Sequence, residues 1–132
     1  MCDRKYKLID NRSMTLKDLY ERIGGDYDDA IRRLMSDKIA QKFLFRFLED
    51  PSMGELLDAV ETHNREKAFV AVHTLKGVAA NLALTSLHKC ASVLTEQLRD
   101  LKHDPDPELL NAVKEKYAQI INAIDEFQKT LG

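Results

Sequence analysis

A chain of 132 residues with 20 Lys and Arg against 22 Asp and Glu, a formal charge of −2 and 44% hydrophobic residues is sized for one domain and carries no concentration of cations to track a phosphate backbone. No apolar run approaches the ~20 residues of a membrane span, and the opening MCDRKYKLIDNR lacks the apolar core of a signal peptide. The expectation is a cytoplasmic protein with neither nucleic acid nor a membrane among its partners. Two cysteines, Cys2 and Cys90, are too few for a disulfide framework.

Helix signals follow one another along the chain. Thr15 with Asp18 makes a start resembling a capping box for a short helix over Leu16 to Ile23, stopped by Gly24-Gly25. Asp26 can cap a second short helix carrying Ile31 and Leu34. Ile39, Phe43 and Phe47, with Leu44 and Leu48, recur at spacings of three and four and predict an amphipathic helix over about 37–48. Asp50-Pro51 reads as an N-cap followed by proline at the first helical position, opening a helix to about Thr62. A helix over 65–83 follows, then Ser86 to His103 on the stripe Leu87, Cys90, Ala91, Leu94, Leu98 and Leu101. The last runs from Pro107 to about Leu131, capped by Asp106. No strand alternation, repeat or low-complexity tract interrupts this.

The last three helices span roughly 28, 27 and 37 Å, and the pieces before and after Pro51 about 18 Å each, which joined end to end make a fourth strut of similar length. The expected fold is therefore all-α: an antiparallel four-helix bundle over 37–131, its first helix broken or kinked near Pro51. The short helices of 15–36 pack over one end, within a single domain spanning 1–132. Such a bundle is complete within one chain, so a monomer is expected.

The segment HTLKGVAANLAL, residues 73–84, holds a glycine inside a helix, where it costs about 1 kcal/mol relative to alanine. At 100° per residue from His73, the residues Ala68, Ala71, Val72, Leu75, Val78, Ala79 and Leu82 fall on the far, core side. The near side holds Glu66, Phe69, Val70, Lys76, Gly77 and Ala80. His73 thus points away from the core, among small or apolar neighbours, with the bulk removed one turn on at Gly77. A lone histidine on a surface helix is usually just solvated; the accepted glycine penalty tips the reading toward a surface onto which a partner descends, with Phe69, Val70, Gly77 and Ala80 as docking residues. Lys76, three residues from His73, is placed to accompany negative charge on the imidazole.

His73-Thr74-Leu75-Lys76-Gly77, followed by Ala79, Ala80, Asn81 and Leu82, resembles the signature of histidine-containing phosphotransfer (HPt) domains. The order of Phe43 to Leu48, Leu56-Leu57, the motif, and then Leu87, Cys90 and Leu94 extends the likeness over roughly 95 residues. The resemblance implies a phosphorelay intermediate. His73 would take a phosphoryl group from a receiver-domain aspartate, or from a kinase, and pass it to another receiver aspartate, with Lys76 as electrostatic helper. Imidazole suits this, being a nucleophile with a neutral form near pH 7 whose phosphoramidate transfers in either direction. The implied partners are response-regulator receiver domains and a sensor histidine kinase. Mg²⁺ is expected in the receiver, with no cofactor or metal held by this chain. The resemblance also implies a side chain from the following helix that holds the imidazole. A hairpin folding about 84 or 85 puts Thr95, Glu96 and Gln97 level with His73, and the sequence leaves all three open. One departure is Ala83, where the family usually has glycine; Thr85 and Ser86 are then left to cap the next helix.

Other functions fit less well. A di-metal bundle needs Glu-x-x-His pairs, and no histidine here has Glu three residues before it. The surface-histidine reading is preferred for His63, His88 and His103. No room remains for the ATP-binding domain of an autonomous kinase. A helical adaptor that binds a receiver without being phosphorylated is the alternative, and the intact His73, Lys76 and Gly77 argue against it. In its own right the chain is expected not to be an enzyme, since the chemistry is shared with the receiver.

Overall fold

The computed structural model describes residues 14–131; Cys2 and the opening stretch, read above as lacking the apolar core of a signal peptide, lie outside the described residues. Every regular element among the described residues is a helix: α1 Leu16–Arg22, α2 Tyr27–Leu34, α3 Asp37–Phe47, α4 Ser52–Glu61, α5 Arg65–Asn81, α6 Thr85–Leu98 and α7 Pro107–Thr130. None of them is long and apolar enough to cross a membrane.

Local caps explain most of the starts. Thr15 and Asp18 exchange side-chain and backbone hydrogen bonds, both 3.1 Å, in a full capping box. Asp26, Ser36 and Asn64 accept from the backbone N–H of Asp29, Ile39 and Lys67. Asp106 accepts from Glu108 and Leu109 ahead of Pro107. Each satisfies N–H groups that the first helical turn leaves without a partner.

Three boundaries differ from the expectation. Pro51 is itself the N-cap of α4 rather than its first helical residue. Asp50 still belongs to the tight turn that ends α3, its N–H donating to the Phe47 carbonyl, while its carboxylate accepts from the Ser52 N–H at 3.0 Å. Thr85 and Ser86 do not cap α6, whose N-cap, Leu84, has no side-chain bond. The Ser86 N–H donates instead to the Gly24 carbonyl at 2.9 Å. Finally, α6 stops at Leu98 instead of His103. Leu101 adopts a left-handed φ of 61°, so the apolar stripe outlasts the helix that it suggested.

Consecutive long helices pack on one another, α4 on α5, α5 on α6 and α6 on α7, and α3 also reaches α7. Leu44, Phe47, Leu56, Leu75, Leu87, Leu94, Leu98, Val113, Ile120 and Ile124 meet in the core, joined by Leu19 and Tyr20 of α1 and by Ile23 at its end. The pair α1–α2 is clipped to the α5–α6 turn. Tyr20 Oη donates to the Leu82 carbonyl at 2.9 Å, and the Asp26 N–H donates to the Ala83 carbonyl at 2.9 Å. A Cβ on Gly25 would stand 2.7 Å from the Tyr20 ring and 2.9 Å from the Ala83 oxygen, so only glycine permits this approach. Ala83 takes the left-handed φ, 57°, that ends α5. The Leu84 N–H then bonds the Ala79 carbonyl at 2.8 Å, closing the helix end in place of the usual glycine.

Candidate functional site

The helix α5 carries His73 near its middle and runs unbroken through Gly77. Its core face consists of Ala68, Ala71, Val72, Leu75 and Ala79. Small side chains there let neighbouring helices approach closely, and Val78 is only half-buried. On the opposite face His73 and Gly77 are exposed, Val70 is 54% exposed, and Phe69, Lys76 and Ala80 are half-buried. A Cβ built on Gly77 meets nothing within 4 Å. The missing side chain therefore opens space to solvent and makes no room for a neighbour inside the protein. Thr74, next to His73, spends its hydroxyl on the Val70 carbonyl at 2.9 Å.

The two flanks of His73 differ. On the α6 flank the Phe69 ring lies 5.7 Å from the imidazole, centroid to centroid, at an interplanar angle of 42°. The Arg99 guanidinium sits over that same ring at 5.5 Å, a contact that favours a cation. Arg99 also bonds both carboxylate oxygens of Glu96, at 3.0 and 2.6 Å. Those bonds, with the nearby charges of Arg99, Lys76 and His73, hold the Glu96 carboxyl below the usual carboxylate range. Glu96 in turn pushes the Arg99 guanidinium up.

The other flank is open. Val70 borders a groove shared with Glu55 and Asp58 of α4 and with Thr62, which caps its end. Farther along α5, Val78 and Asn81 border a groove of about 590 Å³ whose walls include Leu34, Phe43 and Arg46. Leu57 and Phe43 are 37% and 36% exposed. Phe43 thus adds exposed apolar surface to the groove that Val78 borders.

The three side chains read as alternatives to hold the imidazole have distinct fates, and none of them hydrogen-bonds it among the described residues. Thr95 is fully buried and donates to the Ala91 carbonyl at 2.7 Å. Gln97 ties down the loop before α7, donating to the Asp104 carbonyl and accepting from the Asp106 N–H. Glu96 alone lies in the field of His73 and Lys76, and it is engaged by Arg99. Arg99 was missed in the sequence because it falls between Leu98 and Leu101 of the expected apolar stripe, off its apolar face. Its spacing of three from Glu96 was the available signal.

The remaining histidines make other contacts. His63 Nδ1 lies 3.1 Å from Asp104, His103 Nδ1 lies 3.4 Å from Asp100, and His88 is half-buried. Among the described residues no three His, Cys, Asp or Glu side chains are grouped as a metal ion would require.

An exposed histidine on a rigid helix, flanked by a lysine and by open ground, is what a phosphoryl carrier presents. The Hpt domain model matches residues 41–126, and the chain belongs to the Hpt domain family. No curated protein and no solved structure matches it. Hpt domains carry phosphoryl groups in phosphorelay signalling, exchanging them with receiver domains and kinases. The matched span begins inside α3, so α1 and α2, which clip the α5–α6 turn, precede it.

Proposed function

We propose that His73 is the phospho-acceptor of a phosphorelay intermediate, receiving its phosphoryl group from a receiver aspartate or a kinase and passing it to a second receiver. The observation that carries this reading is the exposed imidazole on an unbroken helix beside the empty space at Gly77. In the forward step the unprotonated ring nitrogen attacks phosphorus. An N–P bond forms, the bond to the aspartyl oxygen breaks, and its electron pair leaves with the aspartate carboxylate. The proton on the other ring nitrogen stays or passes to water. The reverse step restores the imidazole.

Lys76, half-buried three residues on, offsets phosphoryl charge. Receivers descend over Gly77 and Ala80 and bury the apolar surface of Phe69 and Val70. Mg²⁺ belongs to the receiver, whose acidic pocket supplies the other half of the site. The protein acts as a monomer in the cytoplasm, between a sensor histidine kinase and response-regulator receivers.

Labelling with a phosphorylated receiver or with phosphoramidate tests this. His73→Gln should keep the helical circular dichroism, since the side chain is exposed, and lose all acid-labile, alkali-stable phosphate. Label persisting on His63, His88 or His103 refutes the assignment.

A further inference from the structure

Glu96 is paired with Arg99, whose guanidinium stands over the Phe69 ring that also neighbours His73, and a phosphorylated His73 carries a dianion. The surroundings of Glu96 are cationic. Arg99 bonds both its oxygens, and the charges of Lys76 and His73 also bear on it. Arg99 and His73 share a neighbour, the Phe69 ring, at 5.5 and 5.7 Å from its centroid. Arg99 is 53% exposed along its side chain and Glu96 61%, so neither is locked in a packed interior. Lys76 of α5, Glu96 of α6 and Arg99, which caps the end of α6, are the charged groups on this flank, while Glu66 lines the groove on the α4 side.

We propose that Glu96 is a resident counter-anion of the phosphoryl site, holding Arg99 beside Phe69 until phosphorylation of His73 supplies a competing anion that takes over Arg99 and Lys76. This rests on His73 being the phospho-acceptor. A phosphoryl group brings nearly twice the charge of a carboxylate and three acceptor oxygens, and a guanidinium fork binds either anion bidentately. The exchange therefore favours the phosphoryl group, yet Glu96 remains nearby as a repelling charge. It keeps the phosphohistidine less stable than two cations alone would make it, which suits a carrier that must release its load. Arg99 and Glu96 act on the same bond with opposite sign: Arg99 favours the N–P product, and Glu96 favours return of the electron pair to the imidazole and of the phosphoryl group to an aspartate.

The second ionisation of the phosphoryl group reports this balance directly, because nearby cations lower its midpoint and nearby anions raise it. The full chain and the variants Glu96→Gln, Arg99→Gln and Arg99→Lys are labelled with phosphoramidate and titrated by phosphorus NMR, with circular dichroism confirming the fold. Glu96→Gln should lower the midpoint and Arg99→Gln raise it, each by about 0.5 pH unit, the effect of one charge at a screened, exposed distance. Arg99→Lys should restore most of the parent value. Midpoints unchanged in both glutamine variants, or moved in the same direction, overturn the proposal while leaving His73 as the acceptor. A parent chain that phosphoramidate labels elsewhere, or fails to label, overturns the acceptor assignment and this proposal together.

Discussion

Replacing Gly77 separates the demands of the helix from those of the partner. The helix α5 continues through residue 77, and a Cβ there would find no atom within 4 Å. Gly77→Ala thus keeps every contact and gains the helix preference of alanine, about 1 kcal/mol. For a chain of this size that corresponds to a rise of about 3–6 °C in melting temperature. Gly54, also helical and with nothing within 4 Å of its Cβ, is the control for propensity alone, and Gly54→Ala should shift stability in the same direction. Gly77→Leu should fold as well as the parent, with its isobutyl group standing beside His73 on the proposed docking face. Transfer from a phosphorylated receiver should fall at least tenfold, a loss of about 1.4 kcal/mol that one misfitted side chain readily causes, while labelling by phosphoramidate stays within about twofold. Stopped-flow or quenched transfer assays, run beside thermal unfolding, give both numbers. A leucine variant that unfolds would mean that Gly77 serves packing. One that folds and transfers normally would put the docking surface on another face.

Two further substitutions probe the clip between α1 and the end of α5. At Ala83 the left-handed backbone, φ 57°, costs a non-glycine residue about 1–2 kcal/mol, against roughly 0.8 kcal/mol for the methyl that glycine would lose from its buried position. Ala83→Gly should therefore be about 0.5 kcal/mol more stable by urea unfolding, and a clearly lower midpoint would show that the methyl outweighs the backbone. Tyr20→Phe should lose about 1–2 kcal/mol at neutral pH with its bond to the Leu82 carbonyl. Burial pushes the Tyr20 phenol well above its ordinary range. The unfolded chain releases that proton near pH 10 while the folded one keeps it, so the stability Tyr20 provides is complete below about pH 10 and declines as pH rises beyond. The phenylalanine variant should show a shallower decline there, and equal alkaline slopes would refute the burial argument.

Much of the fold was legible in sequence because its signals are local. A cap such as Thr15, Asp26 or Asp106 acts on N–H groups two or three residues away, and the apolar spacing of α5 belongs to its own helix. The exposure of His73 and the core side of its helix followed from the same 100° step. Longer-range features were settled by tertiary contacts. The Ser86 N–H found the Gly24 carbonyl, more than sixty residues back, before any hydroxyl of its own segment was needed, and Ala83 holds a glycine conformation in a turn clipped by Tyr20 and Asp26. The periodicity through Leu101 could not reveal that the backbone turns left-handed there. Thr95, Glu96 and Gln97 all lie level with His73 in a hairpin folding about 84 or 85, which left the three open. Only the packing of α6 against α5 buried the first, gave the third to the loop before α7, and paired the second with Arg99, which shares the Phe69 ring with His73 as a neighbour, because a side chain's partners depend on which helix faces it and at what height.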